Sequence, residues 1–344
     1  MKKNKDYLWL PYTNKIATNK NSVHFHYKGG DLKINYDNIH SIMFYGSVCP
    51  LEQGFLENCV KRKVSIVIHR RNMHRAVVIT PNVTTGKEDI LTKQITFRIN
   101  KKKKAYIARK LIKAKFNSMK WLINEPAYSL KGLTDIKDIV NVEAWHSKNY
   151  WEKYYKTLGF YNTTRRKKDS ENLIGATLDA VSKFVSSIIL RWIHYHNLSP
   201  YHGFIHTPTE YPSLVYDLIE PYRGYLDKVV FETFKHHNFN SKNTKNIQAI
   251  SYTIENVKEF LYQEVYVHTT RQVVTFHELL HGIVLALVSY LKGNTRFIVP
   301  EPGNKIGGRP VNAGYKLYGR NAGITNFWPK TKKTIENFCS MQDL

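Results

Sequence analysis

Near residue 95 the hydrophobic pattern of this 344-residue chain changes period, and that change limits the fold more than any other feature. Before it, short runs of β-branched and aromatic residues are separated by turn residues. "SVHFHYKGGDLKINY" gives two such runs around Gly29-Gly30, a hairpin signal. "HSIMFYG" reads as a further strand, and "VSIVIHR" and "HRAVVIT" as two more joined at "RNM"; "LEQGFLENCVKRK" reads as a short helix. After residue 95 the period becomes helical. In 101–123, Ala105, Ala108, Leu111, Ile112, Phe116, Met119, Leu122 and Ile123 share one side at 100° per residue, while Arg109, Lys110, Lys113 and Lys120 share the other. Further helices are expected over about 172–194, 222–237, 253–264 and 271–292. From "FIVPEPGNKIGGRPVNAG" onward, Gly, Pro and Lys point to loop or a mobile arm. The expected class is α+β: a small N-terminal β-sheet domain (1–93), a larger all-α domain (94–325) and a C-terminal tail (326–344).

Charge narrows the function. The chain carries 52 Lys and Arg against 27 Asp and Glu, a formal +25. Such a field favours a polyanion, most simply nucleic acid, with an anionic membrane surface as the other candidate. No uncharged apolar run of about 18 residues stands out, so no spanning helix and no membrane role are expected. The start "MKKNKDYLWLPYTNK" lacks the apolar core of a signal peptide. Cys49, Cys59 and Cys339 are odd in number and widely spaced, which fits a reducing cytoplasm.

Residues 277–281 read "HELLH". On a helix, H-E-x-x-H can hold zinc between two imidazoles with the Glu as general base. The phase of the segment argues against this. Val273, Phe276, Leu280, Val284, Leu287 and Leu291 form an apolar stripe, and His277 and His281 lie on its shoulder, where boundary residues are common. Glu301, at a suitable distance for a third ligand, falls in a Pro-Gly loop. The helix is therefore expected to be scaffold or DNA-facing surface.

A different cluster carries more chemistry. In "HGFIHTPTEYPSLVYDLIEPYR" (202–223), Asp217 and Glu220 are three residues apart and share a face of a helical turn, with Pro221 delimiting it. His206 stands eleven residues before Asp217, across a loop marked by Pro208 and Pro212. One imidazole and two carboxylates can thus converge. Oxygen-rich ligation of this kind suits Mg²⁺ or Mn²⁺. In phosphodiester chemistry such an ion offsets charge in the transition state and activates the attacking hydroxyl. Arg223 is placed to meet a phosphate. A carboxylate cluster in a very basic chain suits a metal-dependent nuclease or strand-transfer enzyme, because a cation must separate carboxylates from a nucleic-acid backbone.

These residues resemble the CRISPR-associated adaptation integrases, the family usually called Cas one. The resemblance rests on "GFIH" (203–206) followed by "SLVYDLIEPYR" (213–223), on Glu143 with Tyr150 seven residues later, and on Asn172 after the basic run "RRKK". It extends in the same order over nearly the whole chain. It implies an N-terminal dimerisation domain and a helical catalytic domain. It also implies a catalytic metal site from Glu143, His206 and Glu220, with Asp217 supporting, and Mg²⁺ or Mn²⁺ as the ion. The implied activity is endonuclease and integrase: spacer fragments joined to the repeat array by 3′-hydroxyl attack. The implied partners are double-stranded DNA with free 3′ ends, CRISPR repeat DNA, a second copy of the chain and the small protein usually called Cas two, in a prokaryotic cytoplasm. Arg165, Arg166, Lys167 and Lys168 would contact DNA with Arg223. One departure is Asp179, which stands where the family often has a Tyr. The alternatives are a non-catalytic basic DNA-binding scaffold of the same fold and, more remotely, a zinc metallopeptidase acting through HELLH.

Overall fold

The computed structural model describes residues 5–69, 76–81, 89–123, 129–160, 173–237, 239, 246–303 and 313–321. The N-terminal strands are β1 (Asp6–Thr13), β2 (Lys15–Thr18), β3 (Ser22–Tyr27), β4 (Gly30–Asn35), β5 (Ile39–Val48), β6 (Ser65–His69) and β7 (Val77–Ile79), with helix α1 (Gln53–Lys61) between β5 and β6. They form two sheets. One is mixed, in the order β1-β5-β6-β7, with β5 parallel to both β1 and β6 and with β6 antiparallel to β7. The other is the antiparallel β2-β3-β4 meander. The expected β3–β4 hairpin is present, with Tyr27 opposite Gly30.

Strand β1 escaped the sequence reading because both of its faces are buried. Leu8 and Leu10 join a core with Phe25, Phe44, Phe55 and Cys59. Tyr7 and Trp9, pointing the other way, join the core of the helical part. A strand covered on both sides shows no polar–apolar alternation. Met43 and Tyr45 of β5 join the same helical core, so the mixed sheet is the wall between the two cores.

The helical part comprises α2 (Ile90–Ile99), α3 (Lys101–Ser118), α4 (Ile136–Thr157), α5 (Leu173–Tyr195), α6 (Ser213–Ile219), a 3-10 turn (Glu220–Tyr222), α7 (Arg223–His236), α8 (Asn246–Leu261) and α9 (Phe276–Leu291). The order of a β-rich then a mainly helical region is the α+β class expected. The helical region also holds a small antiparallel sheet of β8 (Glu264–Val267), β9 (Gln272–Thr275) and β10 (Arg320–Asn321). The helix expected over 271–292 therefore begins at Phe276, because Val273 and Val274 are buried on a strand paired with β8. Helix α3 stops at Ser118 instead of reaching 123, and α8 starts at Asn246, seven residues before the expected 253.

Helix α5 is the central post and packs against α6, α7, α8 and α9. Among the described residues it is the one helix long and apolar enough to cross a membrane, which corrects the expectation that no such run exists. Its most apolar stretch is 78% buried within the fold, so packing against its neighbours accounts for its composition.

A close backbone approach and two hydrogen bonds set where α3 lies. Gly224, at the start of α7, lets the backbone of Ser118 come so close that a Cβ would sit 2.2 Å from the Ser118 carbonyl oxygen. The Gly224 N–H donates to Ser118 Oγ (3.1 Å), and Trp121 Nε1 donates to the Gly224 carbonyl (2.9 Å). This junction holds the C-terminal half of α3 against the 3-10 turn that carries Glu220. Gly224→Ala is expected to destabilise the protein by about 1–3 kcal/mol through overpacking against backbone. Urea unfolding measures this; a loss below about 0.5 kcal/mol would mean that the junction is loose.

Candidate active site

The signature "GFIH…SLVYDLIE" folds as a loop wound around one carboxylate. Asp217, in α6, is fully buried. Its Oδ2 accepts from the Ile205 N–H (2.9 Å) and the Phe204 N–H, and its Oδ1 accepts from the His206 N–H (3.0 Å) and from His206 Nδ1 (2.7 Å). Each carboxylate oxygen thus receives two donors, which satisfies the group inside the protein. Gly203 belongs to the same cradle: its N–H donates to Ser213 Oγ (3.0 Å), and a Cβ there would lie 2.8 Å from Asp217 Oδ2. The loop is clamped from outside by α2. Gln94 Nε2 donates to the Ser199 and His202 carbonyls (2.9 and 2.8 Å), and Arg98 donates to those of Gly203 and Thr207 (3.2 and 2.6 Å). Gln94 and Arg98 support the site, and the sequence reading did not single them out.

Tying Nδ1 to Asp217 leaves His206 Nε2 as the nitrogen available for chemistry. Burial opposes a charge on the ring, but the hydrogen bond and charge of Asp217 outweigh it and raise the pKa of His206. Glu220 adds to that rise and Lys115 opposes it, so these groups share one electrostatic environment.

The centre of the site is a buried ammonium. Lys115, in α3, is 7% exposed. Its Nζ lies 2.6 Å from Glu220 Oε2 and bonds to Glu143 Oε1. Glu143 Oε1 also accepts from Ser147 Oγ, one turn along α4 (2.6 Å). Apart from the Lys115 ion pair, Glu220 Oε2 has no hydrogen-bond partner among the described residues. Burial works against ionisation of Lys115, yet Glu220 and Glu143 raise its pKa. Burial also raises the pKa of Glu143, and Lys115 and Ser147 bring it below the usual carboxylate range.

Glu143 and Glu220 meet at Lys115 and His206 is coupled to both electrostatically, but the three do not bring ligand atoms within 4.8 Å of one another. Asp217, which could have been a ligand on spacing alone, has all its acceptor capacity turned to the loop and to His206. Lys115 was missed, although a signal existed. It falls on the line Ala108, Leu111, Ile112, Met119, the apolar stripe of its helix. A lysine in that phase requires a buried anion. Tyr150 is fully buried and packs against Trp121, Trp151 and Tyr154, so it serves the core. Arg223 donates to Ser182 Oγ (3.1 Å) and turns Nε toward Asp227 (3.9 Å). Asn172 and the basic run Arg165, Arg166, Lys167 and Lys168 lie outside the described residues.

The donor set fits a divalent cation. Two carboxylates already converge on one positive atom, the Lys115 ammonium standing in for an ion, and His206 is coupled to both carboxylates electrostatically without reaching them at ligand spacing. This is a hard, oxygen-rich set suited to Mg²⁺ or Mn²⁺.

HELLH is scaffold. His277 and His281 are both buried. His277 Nδ1 bonds to Thr275 Oγ1 (2.7 Å), and its ring contacts Tyr7 and Tyr262. His281 is stacked between Trp192 (3.6 Å, 7°) and Tyr318 (5.1 Å, 8°), with Nε2 2.9 Å from His196 Nε2. Burial, then the neighbouring His196 and Arg191, push the pKa of His281 far below the usual histidine value. Glu301, the candidate third ligand, instead accepts from Asn117 Nδ2 (2.8 Å).

The family described as "CRISPR associated protein Cas1" matches residues 10–265. Among solved structures, a casposase bound to integration product is similar with a TM-score of 0.74 at 18% identity, over 96% of this chain and 99% of that one. A CAS1 protein from Thermotoga maritima is similar with a TM-score of 0.70 at 19% identity, over 87% and 99%. A chain of a Cas6-RT-Cas1–Cas2 complex is similar with a TM-score of 0.68 at 12% identity; the match covers 87% of this chain and 36% of that one. At these identities the likeness is one of fold. No curated protein sequence matches the chain significantly.

Removing the central ammonium should expose the carboxylate pair. Lys115→Met is expected to lower the stability of the metal-free protein by about 3–5 kcal/mol, since it leaves buried charges unpaired. Mn²⁺ is expected to raise the melting temperature of the variant more than that of wild type. Equal stability of the two without metal would contradict the assignment.

Proposed function

This chain belongs to the Cas1 family, and from that membership we propose that it is a metal-dependent DNA integrase and endonuclease of CRISPR adaptation. It joins spacer fragments to the repeat array by attack of 3′-hydroxyls on phosphodiesters. One observation carries the reading: Glu143 and Glu220 converge on a single buried cation, in an electrostatic environment that His206 shares, in a chain of formal charge +25. Glu143, Glu220 and His206 hold the ion, and Asp217 supports them. Bound there, Mg²⁺ or Mn²⁺ supplies Lewis-acid stabilisation of the charge that develops on the phosphodiester. In the reaction a bond forms between the 3′-oxygen and phosphorus, the bond from phosphorus to the leaving oxygen breaks, and the proton given up by the attacking hydroxyl is balanced by one taken up by the leaving oxygen, which departs as a hydroxyl. Asp217 fixes the imidazole so that Nε2 faces the reaction as ligand or proton carrier. Lys115 pairs with both carboxylates and holds them together when no ion is held.

DNA reaches the site along the basic face of α3. Tyr106, Arg109, Lys110, Lys113, Lys120 and Lys131 line a groove of about 620 Å³. Partial burial lowers the pKa of Lys110, and the like charges of Lys113, Arg109 and Arg296 lower it further. Such crowding favours an anion, and phosphates answer it. In this reading Arg165, Arg166, Lys167, Lys168 and Arg223 also contact DNA. The N-terminal domain pairs two copies of the chain, and a small Cas2-type protein bridges such pairs; one similar solved structure is named a Cas6-RT-Cas1–Cas2 complex. The setting is a prokaryotic cytoplasm.

Strand transfer tests this directly. A short duplex with free 3′ ends is mixed with a supercoiled repeat plasmid, the purified protein and the Cas2-type partner, in Mn²⁺ or EDTA. Joining is expected in Mn²⁺ and not in EDTA, to fall more than about 100-fold in Glu220→Ala, and to persist in His277→Ala. No joining by any variant, with DNA binding intact, would favour the non-catalytic scaffold.

A further inference from the structure

The outer face of the β2-β3-β4 meander carries an arrangement that the DNA chemistry does not use. Strand β3 alternates strictly: Val23 and Phe25 are buried, while His24 and His26 turn to the other face and are partly exposed. Two residues apart on a strand point the same way, and the two imidazole rings lie 4.2 Å apart. Across the ladder, Asp31 of β4 pairs in register with His26, and its Oδ1 lies 2.6 Å from His26 Nδ1. One ligand atom from each of His24, His26 and Asp31 falls within 4.8 Å of the other two. Among the described residues this is the one group of three or more His, Cys, Asp or Glu side chains that meets this spacing.

We propose that His24, His26 and Asp31 form a surface site for a divalent transition metal of the zinc class. Tetrahedral zinc ligands stand about 3.3 Å from one another at bond lengths of about 2.0–2.1 Å. An exposed Asp31 carboxylate reaches that spacing from 2.6 Å by a side-chain shift of under about 1 Å. Three protein ligands leave a fourth position for water or an outside donor, the open class of zinc site.

The neighbours select the metal. Lys15 stands in register with His26, and Lys33 with His24. Two ammonium groups beside a single carboxylate weaken attraction that rests on charge alone. Affinity must therefore come from imidazole donors, which favours Zn²⁺, Ni²⁺ or Cu²⁺ over Mg²⁺ and Mn²⁺. The carboxylate site around Lys115 has the opposite preference, so one chain holds a hard site and a borderline-soft site in different domains.

Equilibrium dialysis against Zn²⁺, with millimolar Mg²⁺ present to hold the carboxylate site, separates the two. The full-length wild type is expected to bind one more Zn²⁺ per chain than His24→Ala or His26→Ala, and Glu220→Gln is expected to keep that ion. Asp31→Asn is expected to bind it at least about tenfold more weakly. Circular dichroism on the same samples checks that the exposed substitutions leave the fold intact. Zinc stoichiometry and affinity equal in wild type, His24→Ala and His26→Ala would overturn the proposal, as would loss of the ion in Glu220→Gln alone.

Discussion

A lysine ammonium buried between two carboxylates is the interaction around which the helical part of this protein is arranged. Neither Glu143 nor Glu220 is well exposed, and the two come from different helical segments. Like charges brought together inside a protein repel strongly unless a cation separates them. Lys115 provides that cation in the free protein. It reaches the pair because α3 is locked to the turn after α6 by the Gly224–Ser118 contact. Backbone packing at a glycine thus sets electrostatics one helical turn away. A divalent ion taking over the role would have to displace an ammonium already in place, which would couple its binding to the position of Lys115.

The second carboxylate system works differently. Asp217 receives donors on both oxygens from a loop that also carries His206. Its negative charge is spent on shaping backbone and orienting one imidazole. Gln94 and Arg98 hold the far side of the loop through its carbonyls. Two neighbouring acids on one helical turn have therefore divided their roles: Asp217 organises the loop and Glu220 faces the cation.

Much of this was legible in the sequence where a local rule applied. The β3–β4 hairpin followed from a glycine pair between alternating runs, and α5 from a clear apolar stripe. His206, Asp217 and Glu220 could be grouped from spacing, but their separate roles could not, because spacing does not show which oxygen meets which donor. Glu143 entered through family resemblance, since its partners are distant in the chain. Strand β1 was hidden by burial on both faces, and β9 by an apolar run continuous with α9. Lys115 was concealed by its company, one more lysine in a helix full of them. HELLH shows the converse. The pattern is intact, yet the imidazoles are committed to aromatic stacking and to Thr275 and His196.

The most direct test is anomalous scattering from crystals grown with Mn²⁺, recorded at the manganese edge. The account predicts a peak bounded by Glu143, Glu220 and His206, with the Lys115 ammonium withdrawn from at least one carboxylate. A peak elsewhere, with Lys115 still bridging Glu143 and Glu220, would contradict it.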